Sequence, residues 1–194
     1  GEAHTRREVL YQLLSDEVWA KQPARVQEFL LHTSVLPRLN AEWCDELLGR
    51  PTGRQLAELA DSNVFVFPLD GEGRWYHCHQ LFREFLLEKL RSEQPELFIT
   101  LHHRAAGVAE KHQQLELALS HYVEARAFEE AGRLLEEIAD EWYQNGYWRR
   151  LQHWIDTLPP TVMHAHPWLQ FTRARVAANL GDLRLAQRLL HQAL

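Results

Sequence analysis

Histidine is the residue type whose grouping in this sequence could carry chemistry. Twelve histidines occur among 194 residues, and three groups lie close along the chain: His77-Cys78-His79, His102-His103 and His164-Ala165-His166. A structural zinc site takes four Cys or His ligands in paired spacings, and a zinc protease carries HExxH. The sequence has neither pattern, and neighbouring residues of a strand point to opposite faces. We therefore expect no metal site and interpret these groups as solvated or half-buried histidines.

Motifs for nucleophilic or acid–base catalysis are missing as well. The sequence has no GxSxG elbow and no reactive-cysteine signature, and Cys44 lies on an apolar helical face, where cysteine acts as a small core residue. The pairs Glu129-Glu130 and Glu136-Glu137 are typical of solvated helix faces. There is no GxxxxGK[ST] phosphate loop. We predict no catalytic residue, and no means of cradling a triphosphate by these residues alone.

A third group of chemically capable residues is aromatic. Its members are Trp142, Tyr143, Tyr147, Trp148, Trp154 and Trp168. We interpret them chiefly as core residues between packed helices. The alternative is a concave face that binds a small inducer or a protein partner.

Composition limits the class of protein. With 45% hydrophobic residues, seven Trp and eight Phe, the chain has ample material for packed cores. Its formal charge of −6 gives no electrostatic footprint for nucleic acid or an anionic membrane, and no apolar run approaches the ~20 residues that span a bilayer. Two cysteines without CxxC favour a reducing, cytoplasmic setting. The chain starts and stops inside helical patterns, so we expect a fragment of a longer protein.

The element that positions His79 is a predicted β-hairpin followed by a helix. Val64–Leu69 alternates apolar residues, Asp70–Gly73 is a Gly-containing connection, and Arg74–Cys78 resumes the β pattern. Two such runs around a short Gly-containing loop predict a hairpin. Apolar residues then recur at three- and four-residue steps, which predicts one face of a helix: Leu81, Phe82, Phe85, Leu86 and Leu90.

Helical patterns precede the hairpin. The first, from Val9 to Trp19, ends near Pro23, which suits the first turn of the second helix. That helix ends in Thr33–Pro37, because the residue before a proline avoids the α conformation. Asn40 can cap a third helix that Gly49 ends, and Thr52 can cap a fourth. Apart from the N-terminal linking helix, this is the layout of a winged helix, with three helices and a wing.

Direct DNA binding by this winged helix is disfavoured by charge. A DNA-reading winged helix inserts its third helix into the major groove with base-reading and phosphate-binding side chains. Here that helix, residues 53–62, contains one arginine and two acidic residues, Glu58 and Asp61, and the wing sequence DGEG is acidic. We predict an internal module without nucleic-acid contact, and a stand-alone DNA-binding regulator is the disfavoured alternative.

Three phrases in order resemble the segment after the nucleotide-binding domain in MalT-like regulators of the LuxR family, which are STAND-class ATPases. They are EVWAKQPARVQEFLLHTSVLPRLNAEWCDELLG, LAELADSNVFVFPLD and RWYHCHQLFREFLLEKL. The resemblance implies an ATPase domain before this segment, a winged helix within it, an inducer-sensing solenoid that begins here, and a DNA-binding domain beyond it. It implies ATP or ADP as the cofactor of the full-length protein and none in the fragment alone.

The resemblance also implies a site residue. STAND winged helices often end in Met-His-Asp at a helix start, and the histidine contacts the β-phosphate of ADP in the resting state. The matching residues here are Cys78-His79-Gln80, so only His79 carries over as an ADP phosphate sensor. A helix N-terminus favours anionic phosphate, and an imidazole N–H can donate to it. The alternative is that His79 is an ordinary histidine beside the helix cap.

The second half of the chain predicts further helices and a partial repeat. Pro95 starts a helix, another runs from Leu115 to Ala125, and Gly146 precedes a third. The phrase from Ala125 echoes the phrase from Asn179 with an offset of 55, which exceeds the 34-residue tetratricopeptide period. We predict a degenerate tetratricopeptide-like solenoid, interrupted near residues 158–160. Its last apolar face, left open, could pack against a second copy.

Our combined prediction is a mainly α chain, with a winged-helix domain at residues 1–93 and solenoid helices at residues 94–194. The first hypothesis is a regulatory fragment without enzymatic activity. Its winged helix holds an ADP-bound resting state against the missing ATPase domain, and its solenoid relays the inducer signal. The second hypothesis is a protein-interaction scaffold without nucleotide sensing. The sequence names neither the inducer nor the target promoter.

Overall fold

The computed structural model describes residues 11–62 and 65–192, and the described part of the chain is mainly helical with one β-hairpin. The chain divides into two compact units, one ending at Val108 and the other starting at Ala109. The predicted mainly α class, a winged helix followed by helices of a solenoid, is confirmed. The predicted domain boundary at residues 93/94 and the tetratricopeptide-like character stay predictions. No described helix is both long and apolar enough to cross a membrane.

The first unit contains the winged helix. Its elements in chain order are α1 (Leu14–Trp19), α2 (Ala24–Thr33), α3 (Ala41–Leu48), α4 (Gly53–Asp61), β1 (Val66–Pro68), β2 (Tyr76–Cys78), α5 (Gln80–Glu93) and α6 (Pro95–Lys111). The last residues of α6 belong to the second unit, because the first unit ends at Val108. The largest side chains of its core are almost fully buried: Phe29, Leu30, Leu36, Leu47, Leu56, Phe82, Leu86 and Leu90. Phe82, Leu86 and Leu90 belong to the apolar face predicted for the helix after the hairpin, so the periodicity identified this part of the core.

Both ends of α3 follow the prediction. The Asn40 side chain accepts a hydrogen bond from the Trp43 N–H at 2.7 Å, and Gly49 ends the helix in the left-handed conformation with φ of 68°. The residue predicted to cap α4 is correct, but the capping hydrogen bond expected from its side chain is not formed. Thr52 occupies the N-cap position, but its side chain makes no capping bond. Its N–H and hydroxyl both donate instead to the Asp45 carboxylate at 2.6 Å.

The first helix differs from the prediction. The segment Leu14–Trp19 is π-helical, with the Ala20 N–H donating to the carbonyl of Ser15, five residues earlier, at 2.9 Å. Periodicity of 3.6 residues predicted an α-helix here. The predicted residues Val9 and Leu10 lie outside the described residues.

The predicted hairpin is confirmed in the described residues, and its wing contains a further pairing. Strands β1 and β2 are antiparallel, with Phe67 opposite His77. Residue Leu39, between α2 and α3, exchanges two backbone hydrogen bonds of 2.8 Å with Tyr76 on the other edge of β2. This bridge ties the wing to the helices. Val64, predicted to open the first β run, lies outside the described residues.

The second unit is built from helices joined by short turns. They are α7 (Leu115–Glu124), α8 (Phe128–Gln144), α9 (Trp148–Thr157), α10 (Pro160–Ala165), α11 (Pro167–Asn179) and α12 (Leu183–Gln192). The repeated phrases fall at the starts of α8 and α12. Ala131 and Ala186 are both buried, but Leu135 is fully buried whereas its repeat mate Leu190 is 44% exposed. The difference arises because α8 packs against several helices, and α12 chiefly against α11.

One turn geometry recurs after α6, α7, α8 and α11. The turn residues have positive φ, at Gln113 (58°), Arg126 (56°), Gly146 (78°) and Gly181 (87°). In each turn the next residue's N–H donates to a carbonyl five residues earlier, as from Ala127 to Tyr122 at 2.8 Å and from Asp182 to Ala177 at 2.9 Å. This is the Schellman helix ending. The sequence predicted a glycine turn at Gly146 before the next helix, without its hydrogen-bond pattern, and Gln113 and Arg126 gave no glycine signal.

We expect Arg126→Gly to raise the free energy of unfolding of the second unit by about 0.5 to 1 kcal/mol. Arg126 is exposed, and a side chain at its φ of 56° is strained. Glycine relieves this strain, at the cost of a more flexible unfolded chain. Urea unfolding followed by circular dichroism measures the change. Arg188→Gly, exposed inside α12, should instead lose about 1 kcal/mol, and a loss in both variants would contradict the expectation.

Candidate functional site

The sequence-predicted residue His79 lies between β2 and α5, at the N-cap position of the helix. Its N–H donates to the Phe65 carbonyl at 2.7 Å, and its own carbonyl accepts the Arg83 N–H at 2.9 Å. The imidazole is exposed and makes no capping hydrogen bond. The backbone of His79 is therefore held from two sides while its side chain is available to a ligand.

The start of α5 is electrostatically suited to an anion. The first N–H groups of a helix have no acceptor within it, and the His79 side chain does not supply one. The first turn contains no acidic residue that would neutralise the positive end of the helix dipole. An exposed imidazole beside the first N–H groups of a helix can donate to a phosphate group.

Phe65 supports His79 from the strand side. It has a positive φ of 56°, unusual for an aromatic residue. Its ring centroid lies 6.2 Å from the His79 ring, which it meets edge-on, and 4.7 Å from that of the fully buried Phe82. This strained residue thus connects His79 to the core, an arrangement common at functional sites.

Arg83, one turn after His79, is the main residue near the site that sequence reasoning missed. Its Nε donates to the carbonyls of Ser34 at 2.8 Å and Leu36 at 3.1 Å, and its Nη2 to that of Val35 at 3.2 Å. We call this set of contacts the Arg83 latch. Burial holds the pKa of this guanidinium below its ordinary value. The latch fixes the first turns of α5 against the segment between α2 and α3.

The other candidates around His79 do not join it chemically. Burial raises the pKa of the Cys78 thiol to about 12, and burial together with the adjacent Asp45 carboxylate does the same for Cys44. Both thiols are therefore protonated at neutral pH and poor nucleophiles. The His77 ring lies 5.7 Å from that of Phe67 across the hairpin. The expected absence of a metal stays a prediction.

The predicted aromatic core in the second unit is partly correct. Trp142 and Trp154 are buried, but Tyr147 is 47% and Trp168 43% exposed. Assigning those two to the core was wrong, because spacing does not show which helix faces acquire a neighbour. Trp168 lies 5.3 Å from Phe171, which is 39% exposed. These two rings form an exposed aromatic pair on α11.

The carboxylate pairs are also only partly as predicted. Glu129 and Glu137 are exposed. Glu136, however, is half-buried and accepts a 2.8 Å hydrogen bond from Nδ1 of His166. Its partner lies 30 residues away, so the sequence gave no signal for this contact.

Three helices, a hairpin wing and a closing helix define the first unit as a winged-helix domain. Residues 15–98 match the family model of the MalT winged helix domain.

Curated relatives extend this similarity over both units. The chain is 28% identical over 185 residues to the HTH-type transcriptional regulator MalT of Vibrio parahaemolyticus, covering 95% of the chain and 20% of that relative. It is 34% identical over 99 residues to the MalT of Klebsiella pneumoniae, covering 48% of the chain and 10% of the relative. It is 25% identical over 168 residues to the serine/threonine-protein kinase PknK of Mycobacterium tuberculosis, covering 86% of the chain and 15% of the relative. The chain thus spans about a fifth or less of the length of these relatives.

Proposed function

We propose that this chain is the control segment of a cytoplasmic, ATP-dependent transcription regulator. Its winged helix holds the ADP-bound resting state against an ATPase domain of the same protein. Its second unit begins the solenoid that receives the inducer. ATP hydrolysis and DNA binding belong to domains outside these residues. The observation that carries the proposal is the exposed His79 imidazole at the start of α5, where its own side chain caps no N–H.

The charges of the winged helix support a contact other than DNA. In α4, Glu58 accepts a 2.8 Å hydrogen bond from Arg54 and lies 3.8 Å from Arg25. In the wing, Arg74 pairs with Glu72 at 2.6 Å. A DNA-reading module leaves such cations free for phosphates. Here they are partly neutralised, so His79 is the better candidate for phosphate contact.

Similarity to two kinds of regulated protein supports a role in control. One group of relatives is named as transcriptional regulators and another as a protein kinase. Their similarity to this chain includes most of both units, although their named activities differ. A segment that serves both acts on a shared switching step, such as a two-state equilibrium that nucleotide and inducer bias in opposite directions.

A second candidate function, protein interaction without nucleotide sensing, is favoured by one observation. Trp168 and Phe171 are large, exposed and adjacent on α11. Exposed aromatic side chains are enriched at binding surfaces. In this case the second unit binds a partner and the winged helix is only a cap.

The test is the ADP affinity of the full-length protein, measured by titration calorimetry, with His79→Ala. We expect the variant to bind ADP about 10- to 100-fold more weakly, because a hydrogen bond to a charged phosphate contributes roughly 1.5 to 3 kcal/mol. Promoter activation should then no longer require inducer. His191→Ala, which removes an exposed imidazole from α12, is the matched control and should retain ADP affinity. An unchanged ADP affinity in His79→Ala would leave the interaction-only function.

A further inference from the structure

A cleft of about 600 Å³ on the first unit is lined by three arginines. Arg25 comes from the start of α2, Arg50 from the turn after α3, and Arg54 from the first turn of α4. We call it the arginine cleft. Glu28, Gln55 and Glu58 complete its polar lining. The chain has a net charge of −6, so three guanidinium groups in one cleft form a positively charged patch on a negatively charged protein.

Gln55 holds the walls of the cleft together. Its side-chain carbonyl accepts a hydrogen bond from Arg50 Nη1 at 3.2 Å, and its side-chain N–H donates to the Arg25 carbonyl at 2.9 Å. These contacts join α4 both to the start of α2 and to the turn after α3. The arginines therefore project from a connected frame.

The charges in the cleft leave a surplus of cation. Glu58 is shared between Arg54 and Arg25, whose side chains are 92% and 77% exposed. Among the described residues, Arg50 forms no ion pair; its hydrogen-bond partner is the neutral amide of Gln55. Three guanidinium groups face two carboxylates, Glu28 and Glu58, so the cleft carries a net charge of +1. Arg50 is therefore the cation most available to a partner.

The start of α4 adds to this positive potential. Thr52 provides no side-chain cap, because its hydroxyl donates to Asp45. The first N–H groups of α4 therefore lack a side-chain acceptor from the cap residue, and the helix dipole places partial positive charge at this end. Arg54 and Gln55 belong to this first turn, so the dipole and the guanidinium groups act in one place.

We propose that the arginine cleft docks an acidic segment of a protein. Guanidinium groups bind carboxylates through paired, planar hydrogen bonds, and an open polar cleft suits a peptide better than a small ligand, which usually occupies an enclosed apolar pocket. A DNA duplex requires many phosphate contacts, whereas this cleft offers three guanidinium groups. This docking is separate from the nucleotide role of His79.

The test uses the full-length protein and a fluorescent peptide of six glutamates as the probe, with binding followed by anisotropy. We expect the probe to bind at low salt and to weaken at least tenfold between about 50 and 500 mM NaCl, because screening shortens the reach of exposed charges. Arg50→Glu/Arg54→Glu should weaken binding at least tenfold. Arg149→Glu/Arg188→Glu makes the same charge change at exposed positions of α9 and α12 and should leave binding unchanged.

Other outcomes overturn the proposal. An equal loss in both double variants would mean nonspecific attraction of the probe to exposed arginines anywhere on the surface. No binding of the probe, or arginine-dependent binding of inorganic phosphate or duplex DNA in its place, would assign the cleft another ligand or none. Arg50→Gln/Arg54→Gln keeps the side chains polar, so it should lose binding while retaining the circular dichroism spectrum. Retained probe binding in this variant would equally contradict the proposal.

Discussion

Replacing Arg83 by methionine is expected to lower the free energy of unfolding of the first unit by about 3 kcal/mol. The variant removes all three hydrogen bonds of the Arg83 latch. The accepting residues Ser34, Val35 and Leu36 are at most 3% exposed, so water cannot easily replace the lost donors. Methionine keeps most of the apolar stem of arginine, which confines the change to the guanidinium.

Two companion variants make this measurement specific. Arg83→Lys keeps the charge, but an ammonium lacks the planar fork that serves several carbonyls at once, so we expect an intermediate loss. Arg74→Met removes an arginine with 73% side-chain exposure in the wing and should change little. Urea unfolding gives the free energies, and amide hydrogen exchange of residues 34–39 shows whether the loss is local.

A methionine variant as stable as the parent would contradict the latch. It would mean that the cost of burying the guanidinium, which also lowers its pKa, cancels the hydrogen bonds it makes. Such cancellation is known for buried ion pairs replaced by apolar residues.

The latch bears on the site because of its position. Arg83 is one turn after His79, and its N–H bonds to the His79 carbonyl at 2.9 Å. When the latch is weakened, the start of α5 becomes more mobile. A ligand that binds His79 must then order this segment, and the entropy lost in doing so lowers its affinity. Stability of the winged helix and affinity at His79 should therefore fall together in Arg83→Lys.

The parts of the fold that were predicted from sequence have local causes. The α3 helix carries its own start and stop signals, since Asn40 caps its first turn and Gly49 supplies the left-handed residue at its end. The hairpin carries its own turn. The apolar spacing of α5 places Phe82 and Leu86 in the core. In each case the determining residues lie within a few positions of one another.

The parts that escaped prediction depend on distant residues or on unusual backbone. The Arg83 latch joins groups 47 to 49 residues apart, and the Leu39–Tyr76 bridge joins two segments across the unit. The turn at Arg126 uses a conformation for which glycine is the usual signal. His79 was found through resemblance, but neither its exposure nor its support by Phe65 follows from the sequence.

The close approach of α8 and α10 gives the second large effect. We expect Gly132→Ala to lower the free energy of unfolding of the second unit by about 2 kcal/mol. A Cβ at Gly132 would lie 2.8 Å from Cγ1 of Val162 and 2.9 Å from two ring atoms of His166. Val162 is only 3% exposed and has little room to move. His166 is held by its 2.8 Å hydrogen bond to Glu136.

Gly107 provides a control of opposite sign. It also lies inside a helix, α6, but a Cβ added there meets nothing within 4 Å. Alanine is a better helix former than glycine by about 1 kcal/mol, so Gly107→Ala should stabilise. The same substitution in two helices thus separates the helix preference, which favours alanine at both sites, from the steric contact, which is present only at Gly132.

A rescue variant tests whether the contact with Val162 is the cause. In Gly132→Ala/Val162→Ala, the smaller side chain on α10 makes room for the new methyl group. We expect the double variant to lose at least 1 kcal/mol less than the sum of the single losses, since coupled neighbours are not additive. Urea unfolding of the four proteins of the cycle measures this coupling. Strict additivity would show that the penalty at Gly132 comes from His166 or from the helix itself, and not from packing against Val162.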